Sequence, residues 1–318
     1  AMVWVEGANL RDRVHNLEAY AQWLELTRTQ TRLDGSFVLR LDEGFYHLMV
    51  EKPGYFLART QPVLNGAGAD RHDVRLVRDT GPDIIAHRGA SFYAPENTIP
   101  AVQKAILLGA DVVEVDVRVT RDGVPVLMHD RTVTRTTGAP GRVIDLDFEQ
   151  VARLDAGAWF DPSFAGTGVP TLREALEESR RAGVPLMVDF KATVADEDRS
   201  WLAVRDELRG HPRESFIVAS FRTTVMEHCS REGFRCGLLA NRTLLDPVGV
   251  ARSVGATELY LEAFSLRESH IAAAREAGIR LHVWTVNDPA LWQTLVAYKV
   301  DGIITDYPGH LLDHLAGN

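Results

Sequence analysis

The chain has 318 residues and a formal net charge of −9, with 45% hydrophobic and 25% charged residues. This composition is typical of a soluble globular protein, and the length accommodates one large domain or two smaller ones. The negative charge argues against nonspecific binding to nucleic acid, which is held by clustered Lys and Arg. No apolar run approaches the roughly 20 residues of a membrane-spanning helix, so no transmembrane segment is expected.

The first 80 residues favour a small β domain. The runs FVLRL, FYHLMVE, YFLARTQPVL and DVRLV are rich in aromatic and β-branched residues, and turns that contain Gly or Pro separate most of them. Such runs indicate antiparallel strands. Residues 16–26 have apolar side chains near helical spacing and predict a helix or an irregular insertion. The polar stretch 78–82 predicts a linker that ends this domain.

The turn pattern of this region is similar to that of a known family. The stretch DGSFVLRLDEGFYHLMVEKPGYF has the DG-x-F, G-x-Y and GY rhythm of the carboxypeptidase-regulatory-like β-sandwiches. The resemblance implies a sandwich-like all-β domain over residues 1–80 that carries no catalytic residues. It also implies a secreted or cell-envelope location, with the cytoplasm as the alternative.

From residue 83 onward, short apolar runs alternate with helical segments. Candidate strands cover residues 84–87, 112–117, 186–190, 216–219, 236–239, 259–262, 281–285 and 302–305. Candidate helices cover residues 99–108, 172–182, 201–208, 224–232, 247–254, 266–277 and 289–298. Strands that alternate with helices pair in parallel through right-handed crossovers. Eight such units predict an α/β fold of the TIM (β/α)8 barrel type over residues 81–318.

One further apolar run, residues 124–128, breaks this alternation. It follows Val117 too closely for a parallel crossover, and Asp122-Gly123 is a strong hairpin signal. Residues 118–129 are therefore predicted to form a β-hairpin on the C-terminal end of the second barrel strand. This hairpin would bring His129 over the barrel mouth, where TIM barrels carry their catalytic residues.

Three carboxylates are candidates for a metal site at that mouth. Glu114 and Asp116 are two residues apart in a predicted strand, so their side chains share one face. The valines that alternate with them would pack on the helices and leave both acids inside the barrel. Asp189, near the end of the next barrel strand, supplies a third oxygen ligand. Oxygen-only ligation favours Mg²⁺ or Ca²⁺; the alternative is a solvated edge strand with outward carboxylates.

Basic side chains close to these acids predict an anionic group in the substrate. Arg88 follows the first barrel strand, and Lys191 shares the face of Asp189. A guanidinium matches phosphate oxygens in a bidentate way and an ammonium adds a point charge. A bound phosphate would therefore explain why a metal, an arginine and a lysine are expected in one pocket. His87 and His129, which close two apolar runs, would then act as a general acid/base pair on a phosphodiester.

The motifs around these residues resemble those of the glycerophosphodiester phosphodiesterase family. They are HRG, PENT, VEVDV, DG-x-PV-x-x-HD, VDFK, VASF, HVWTVND and DGIITDYP, and the similarity extends over residues 83–312. The resemblance implies a TIM barrel that hydrolyses glycerophosphodiesters to sn-glycerol 3-phosphate and an alcohol with the help of a divalent cation.

The same resemblance assigns roles to individual residues. It implies His87 and His129 as the catalytic pair, Arg88 and Lys191 as phosphate ligands, Glu114, Asp116 and Asp189 as metal ligands, and Trp284 as a wall of the pocket near the glycerol. Glu96 and Asn97 are expected to brace the HRG loop by hydrogen bonds. By this resemblance the family usually has Glu where this chain has Asp189. The shorter side chain would draw the metal towards its strand or reach it through water.

Two other functions stay open on the sequence. A lysophospholipase D or a sphingomyelinase-D-like barrel shares the histidine pair and the acidic ligands. It needs an apolar groove for an acyl chain, for which Phe92, Tyr93, Trp159 and Phe160 are candidates. A non-catalytic phosphodiester-binding protein would keep the pocket and lose turnover through Asp189. In each case the partner is a small phosphodiester or a lysophospholipid, and the sequence predicts no particular oligomeric state.

The two cysteines, Cys229 and Cys236, are too few for a disulfide framework and have no CxxC spacing. They are expected to be two buried thiols. The alternative, a local disulfide between them, would require an oxidising compartment.

Overall fold

The computed structural model describes residues 81–316 and, before them, five short strands. These strands are β1 Met2–Gly7, β2 Arg28–Gln30, β3 Gly44–Glu51, β4 Ala58–Thr60 and β5 Val63–Leu64. Their pairings are antiparallel: β1 pairs with β2 and β3, and β3 also pairs with β4 and β5. The predicted strands at 37–41 and 73–77 and the predicted helix at 16–26 lie outside the described residues.

The chain divides into two units, Ala1–Gly81 and Pro82–Asn318. The strands of the second unit are β6 Asp83–Ala86, β7 Val112–Val119, β8 Pro125–Leu127, β9 Leu186–Phe190, β10 Phe216–Ser220, β11 Cys236–Ala240, β12 Glu258–Glu262, β13 Arg280–Trp284 and β14 Gly302–Thr305. Eight of them form a closed parallel barrel in the order β6, β14, β13, β12, β11, β10, β9 and β7, and β7 pairs with β6 to close it. The predicted TIM barrel is confirmed.

Helices follow the barrel strands, and seven of those within residues 81–316 match the predicted segments, whereas the two short helices after the hairpin and the last helix were not predicted. They are α1 Ile99–Leu107, α2 Thr134–Thr137, α3 Phe148–Val151, α4 Leu172–Ala182, α5 Glu197–Leu208, α6 Thr223–Arg231, α7 Pro247–Ser253, α8 Glu268–Ala277, α9 Pro289–Tyr298 and α10 Pro308–Leu315. Single 3₁₀ turns lie at Val143–Asp145, Pro162–Phe164, Arg213–Ser215 and Ala263–Ser265. Within the part of the chain that the structure describes, no helix combines the length and apolarity that a membrane crossing needs.

Alternation along β7 determines which side chains face the barrel interior. The valines that alternate with the two acids are fully buried in the apolar layer between the strands and the helices. Glu114 and Asp116 point the other way, and their register partners on β9 are Met187 and Asp189. Met187 belongs to the separate apolar cluster inside the barrel. The acids are therefore inside the barrel, as predicted, and not on a solvated edge.

The predicted hairpin is confirmed. Strand β8 runs antiparallel to the end of β7, and the turn between them includes Gly123 with a φ of +90°, which glycine adopts without strain. Beyond β8, the Met128 amide donates to the carbonyl of Asp116 at 2.9 Å. The Arg118 guanidinium donates twice to the carbonyl of His129, at 2.9 and 2.7 Å. These bonds fix the end of the hairpin over the second barrel strand.

The expectation of two buried thiols is wrong, because Cys229 and Cys236 form a disulfide. Cys229 lies in α6 and Cys236 begins β11, and both are buried. The turn between helix and strand reverses the chain and brings the two Cα atoms to 6.0 Å, which is within the span of a disulfide. That reversal is not visible in the spacing of the two residues.

A buried ionic network lies at the opposite end of the barrel from the predicted site, where the strands begin. The carboxylate of Glu258 accepts hydrogen bonds from Arg235 at 2.5 Å and from the Tyr260 hydroxyl at 2.6 Å. It also lies 3.1 Å from Nε2 of His282, whose ring stacks on Tyr260. Burial alone would raise the pKa of Glu258, but His282 and Arg235 outweigh it and hold the pKa at about 2.

We expect Glu258→Gln to destabilise the fold by about 3 kcal/mol at pH 7, because it removes the buried carboxylate charge that Arg235 and His282 contact. The folded-state pKa lies below the ordinary value of 4.5, so the carboxylate stabilises the fold fully above pH 4.5 and loses that effect as the pH falls towards 2. Urea unfolding at several pH values tests this, with the exposed Glu149→Gln as the control. An unchanged free energy of unfolding in Glu258→Gln would contradict it.

Candidate active site

The loop after β6 has an unusual backbone conformation. Arg88 and Asn97 have φ values of +54° and +57°, a region that non-glycine residues seldom adopt outside functional sites. Gly89 lies between them with φ +79°, and a Cβ there would be 2.6 Å from the backbone carbon of Ala101 in α1. Glycine is therefore needed for α1 to approach. The Arg88 amide donates to Oε2 of Glu114 at 2.6 Å, which ties the loop to the barrel interior.

Glu114, Asp116 and Asp189 form the acidic cluster that the sequence predicts. Each offers a carboxylate oxygen within 4.8 Å of the other two, and all three residues are at most 5% exposed. Oδ1 of Asp189 is buried without a hydrogen-bond partner among the described residues. An unpaired buried anionic oxygen is costly unless a cation satisfies it. The donor set, all carboxylate oxygens, fits a hard divalent metal ion.

Burial and mutual repulsion set the charge state of this cluster. Burial, and then the charge of Asp116, raises the pKa of Glu114. Burial also raises the pKa of Asp189, against the opposing charge of Lys191. At Asp116 the effect of burial is outweighed by Lys191 and Arg88, which hold the pKa well below its usual range. The three carboxylates therefore favour bound positive charge, as a metal site does.

Lys191 and Arg88 both lie against the acidic cluster. Nζ of Lys191 is 3.1 Å from Asp116 and also hydrogen-bonds Asp189. Arg88 donates from Nη1 to Glu96 at 2.9 Å, and its Nε lies 3.3 Å from Asp116. The structure thus gathers the two predicted phosphate ligands at the predicted metal ligands. Their role towards phosphate stays a prediction.

Glu96 and Asn97 contact the parts of the site that they were expected to brace. The side chain of Asn97 makes two hydrogen bonds with Asp116. Its Nδ2 donates to the Asp116 carboxylate at 2.8 Å, and its Oδ1 accepts from the Asp116 backbone amide at 2.9 Å. The backbone amide of Asn97 donates to the backbone carbonyl of Arg88 at 3.0 Å. Because Glu96 accepts from the Arg88 guanidinium, the two residues hold both the backbone and the side chain of the HRG arginine.

His87 is fixed by a carboxylate from the far end of the sequence. Its Nδ1 lies 2.6 Å from Oδ1 of Asp306, which immediately follows β14. Asp306 also accepts from Ser91 at 2.9 Å and from Asn287 at 2.6 Å, so its orientation is set on several sides. Burial lowers the pKa of His87, but the hydrogen bond that His87 makes to Asp306 and the charge of Glu114 outweigh it and raise that pKa.

His129 has a carboxylate partner of its own. Its Nδ1 lies 2.7 Å from Oδ1 of the next residue, Asp130. Burial lowers the pKa of His129, and the cations Arg88 and Lys191 add to this, although Asp116 opposes it. The pKa values of the two histidines are thus shifted in opposite directions, as in sites that need one acid and one base.

The sequence interpretation missed both of these carboxylates. Asp130 directly follows His129 at the end of the hairpin, and Asp306 directly follows β14. The strand-end rule that selected the histidines could therefore have selected the two aspartates as well. What the rule could not supply was the pairing of each aspartate with a particular histidine.

Trp284 lies at the end of β13, at the same end of the barrel as Lys191. Its indole donates to the carbonyl of Tyr260 at 2.9 Å, and its ring meets Phe221 edge to face with centroids 5.6 Å apart. Nζ of Lys191 lies 5.6 Å from the Phe221 ring centroid. Phe221 is 43% exposed and was not singled out from the sequence. The Phe221 ring thus lies between Trp284 and the Lys191 ammonium and contacts both.

The four aromatic residues that were candidates for an acyl groove fall into two clusters. Phe92 and Tyr93 are in edge contact, and Phe92 lies against Tyr307 with ring centroids 4.2 Å apart. Trp159 and Phe160 form an edge contact with each other in the segment after the hairpin. Within residues 81–316, no ring contact links one pair to the other. A single groove made of all four is therefore not formed by ring packing.

A closed parallel barrel with an acidic cluster and two carboxylate-paired histidines at its mouth is the arrangement of a TIM-barrel phosphodiesterase. Residues 87–310 match the glycerophosphoryl diester phosphodiesterase family. The chain belongs to this family and is, by that membership, a phosphoric diester hydrolase.

Individual relatives agree with the family match. A glycerophosphodiester phosphodiesterase of Caldanaerobacter subterraneus is 33% identical over 236 residues, which is 72% of this chain and 96% of that protein. Human glycerophosphodiester phosphodiesterase 1 is 47% identical over 109 residues, which is 34% of this chain and 33% of the human protein.

Solved structures give the same result for the barrel. A phosphodiesterase of Oleispira antarctica, solved in complex with the product sn-glycerol-3-phosphate, has a TM-score of 0.71 at 26% identity and covers 74% of this chain and 97% of its own. A glycerophosphodiester phosphodiesterase of Agrobacterium tumefaciens has a TM-score of 0.63 at 30% identity, with 74% of this chain and all of its own chain covered.

Proposed function

We propose that this enzyme hydrolyses glycerophosphodiesters to sn-glycerol 3-phosphate and an alcohol, with His129 as general base and His87 as general acid. One observation carries the proposal: two histidines, each with Nδ1 on its own carboxylate, lie within the electrostatic field of one buried acidic cluster. The backbone beside each histidine is tied to β7, since the Arg88 amide donates to Glu114 at 2.6 Å and the Met128 amide donates to the carbonyl of Asp116 at 2.9 Å. A phosphodiester needs such a pair, because one oxygen must lose a proton and another must gain one.

The hydrogen bonds define which ring atoms are free for chemistry. A carboxylate on Nδ1 favours the tautomer with the proton on that nitrogen and leaves Nε2 of each ring for the reaction. His129 would take a proton from the nucleophile and His87 would give one to the departing alcohol. With water as the nucleophile, this step yields sn-glycerol 3-phosphate directly. With the neighbouring glycerol hydroxyl as the nucleophile, it yields a cyclic phosphate, which water then opens to sn-glycerol 3-phosphate. The lowered pKa of His129 and the raised pKa of His87 support this division.

We infer that Glu114, Asp116 and Asp189 hold Mg²⁺ or Ca²⁺, both of which take carboxylate oxygens. The unpaired oxygen of Asp189 supports a third ligand despite its shorter side chain. A bound cation supplies charge neutralisation for the phosphoryl oxygens. Arg88 and Lys191 would bind the same phosphate from the protein side, and Trp284 would contact the glycerol.

We propose further that residues 1–80 form a carboxypeptidase-regulatory-like β-sandwich and that the protein is secreted or held in the cell envelope. The antiparallel pairing of β1 with β2 and β3 supports the first part. The Cys229–Cys236 disulfide supports the second, since disulfides persist in oxidising compartments. Activity of a chain that lacks residues 1–80 would show whether the barrel needs this domain.

A substrate comparison with the metal present tests the proposed activity. We expect turnover of glycerophosphocholine and related glycerophosphodiesters, with sn-glycerol 3-phosphate as product, and slower turnover of lysophosphatidylcholine, because the candidate groove aromatics lie in two clusters. Product is measured by chromatography, with His129→Ala as the blank. Preference for lysophosphatidylcholine would favour the lysophospholipase D alternative. Binding of both substrates without turnover would favour the non-catalytic alternative.

A further inference from the structure

Arg135, in the short helix α2, lies between two carboxylates and uses both edges of its guanidinium. Towards Asp130 it donates from Nε to Oδ2 at 2.8 Å, with Nη2 3.4 Å from Oδ1. Towards Glu96 it donates from Nη1 and Nη2 to the two carboxylate oxygens, each at 2.8 Å. Forked contacts of this kind fix both distance and orientation, which a lysine ammonium cannot do.

The two carboxylates are partners of the site residues. Oδ1 of Asp130 lies 2.7 Å from Nδ1 of His129, and Oε1 of Glu96 accepts from Arg88 at 2.9 Å. Arg135 therefore stands at the centre of a row of alternating charge that runs from the guanidinium of Arg88 to the imidazole of His129. This row connects the loop after β6 with the end of the hairpin, which reach the barrel mouth from different strands.

Asp130 depends on Arg135 for its orientation. Its side chain is 29% exposed, and within residues 81–316 its side-chain hydrogen bonds are those to His129 and Arg135. The hydrogen bond from Arg135 is also the main reason that the pKa of Asp130 is lowered to about 2, so the carboxylate stays charged. Without Arg135, Asp130 is free to turn to solvent, and His129 loses the acceptor that selects its tautomer.

We propose that Arg135 is a positioning residue that holds His129 and Arg88 in one fixed arrangement through Asp130 and Glu96. The inference rests on the proposed function for its effect on turnover, since His129 is the base and Arg88 a phosphate ligand there. Its effect on the His129 ring is independent of the substrate.

Kinetics of three variants test the effect on turnover. We expect Arg135→Gln to lower kcat/KM roughly 10- to 100-fold, the range typical of residues that orient a site ligand. Arg135→Lys should show only part of this loss, because a lysine keeps the positive charge but cannot make the paired guanidinium contacts. The control is Arg153→Gln, a surface arginine of the same segment that pairs with Glu149 and is 74% exposed. Its activity should equal wild type, and thermal unfolding confirms that each variant is folded.

Double variants separate positioning from a general loss of structure. Asp130→Asn should cost less than about twofold when Arg135 is already Gln, because Asp130 then no longer orients His129, whereas Glu96→Gln should still remove the direct contact of Glu96 with Arg88. Asp306→Asn, which acts on the other histidine, should cost the same factor in both backgrounds. Independent, multiplying losses for Asp130→Asn and Arg135→Gln would overturn the proposal, as would wild-type kinetics in Arg135→Gln.

Imidazole ¹⁵N shifts give a readout that needs no substrate. The His129 signals, assigned by their loss in His129→Ala, should report one dominant tautomer in the wild type and in Arg153→Gln, and a mixture in Arg135→Gln. Unchanged His129 shifts in Arg135→Gln would overturn the positioning role. The two proposals can fail separately. If the wild type does not hydrolyse glycerophosphodiesters but Arg135→Gln still changes the His129 shifts as expected, the positioning role is supported and only the proposed function is contradicted.

Discussion

Replacement of His129 or His87 by alanine is expected to lower kcat by roughly 10²- to 10⁴-fold, the contribution typical of a positioned acid or base. Nδ1 of each histidine is bonded to an aspartate, at 2.7 Å in His129 and 2.6 Å in His87, and among residues 81–316 Nε2 of each ring has no hydrogen-bond partner. Neither aspartate can take over, because each already accepts from other groups. Steady-state kinetics measure the loss, and calorimetric titration with Mg²⁺ or Ca²⁺ should show metal binding retained.

The matched control for the histidine variants is His211→Ala. His211 follows α5 and its nearest charged partner is Glu207 at 3.7 Å, so it belongs to none of the contacts of the site. Its kinetics should equal those of the wild type. Activity close to wild type in both His129→Ala and His87→Ala would remove the acid/base assignment, whatever the metal dependence.

The second large effect is expected at the acidic cluster. Asp116→Asn should cost more activity than the roughly 10- to 100-fold typical of an outer-shell partner, because Asp116 is itself a proposed ligand and also orders Arg88, Lys191 and Asn97. Metal should stabilise the wild type by about 2.7 kcal/mol at a concentration 100 times Kd. That increment should vanish in Asp116→Asn. Thermal unfolding with and without metal measures it.

Chelation and a conservative exchange complete this test. EDTA should abolish turnover in the wild type, and added Mg²⁺ or Ca²⁺ should restore it. Asp189→Glu, which keeps the carboxylate and adds one methylene, should keep both metal binding and activity, whereas Asp189→Asn should weaken both. Glu227→Gln, an exposed change in α6, is the control. Full activity after exhaustive chelation would contradict the metal site.

Local sequence was sufficient for the architecture and for most of the site. The alternation in VVEVDV places Glu114 and Asp116 on the strand face opposite the alternating valines, because successive side chains of a strand point to opposite sides. The Asp122-Gly123 pair determines the hairpin, because its backbone preferences act within four residues. Strand-end position identified both histidines, Arg88 and Asp189 as parts of one mouth.

The pairings that orient these groups were decided only by the tertiary structure. Asp306 lies 219 residues from His87 along the chain, and it reaches that ring because β14 packs beside β6 in the barrel. Arg135 lies 39 residues from Glu96, and Cys229 meets Cys236 only after the chain reverses between α6 and β11. Sequence patterns encode the face and the end of each strand through neighbouring residues. Which side chains meet across the mouth depends on the closed order of eight strands, which no local pattern contains.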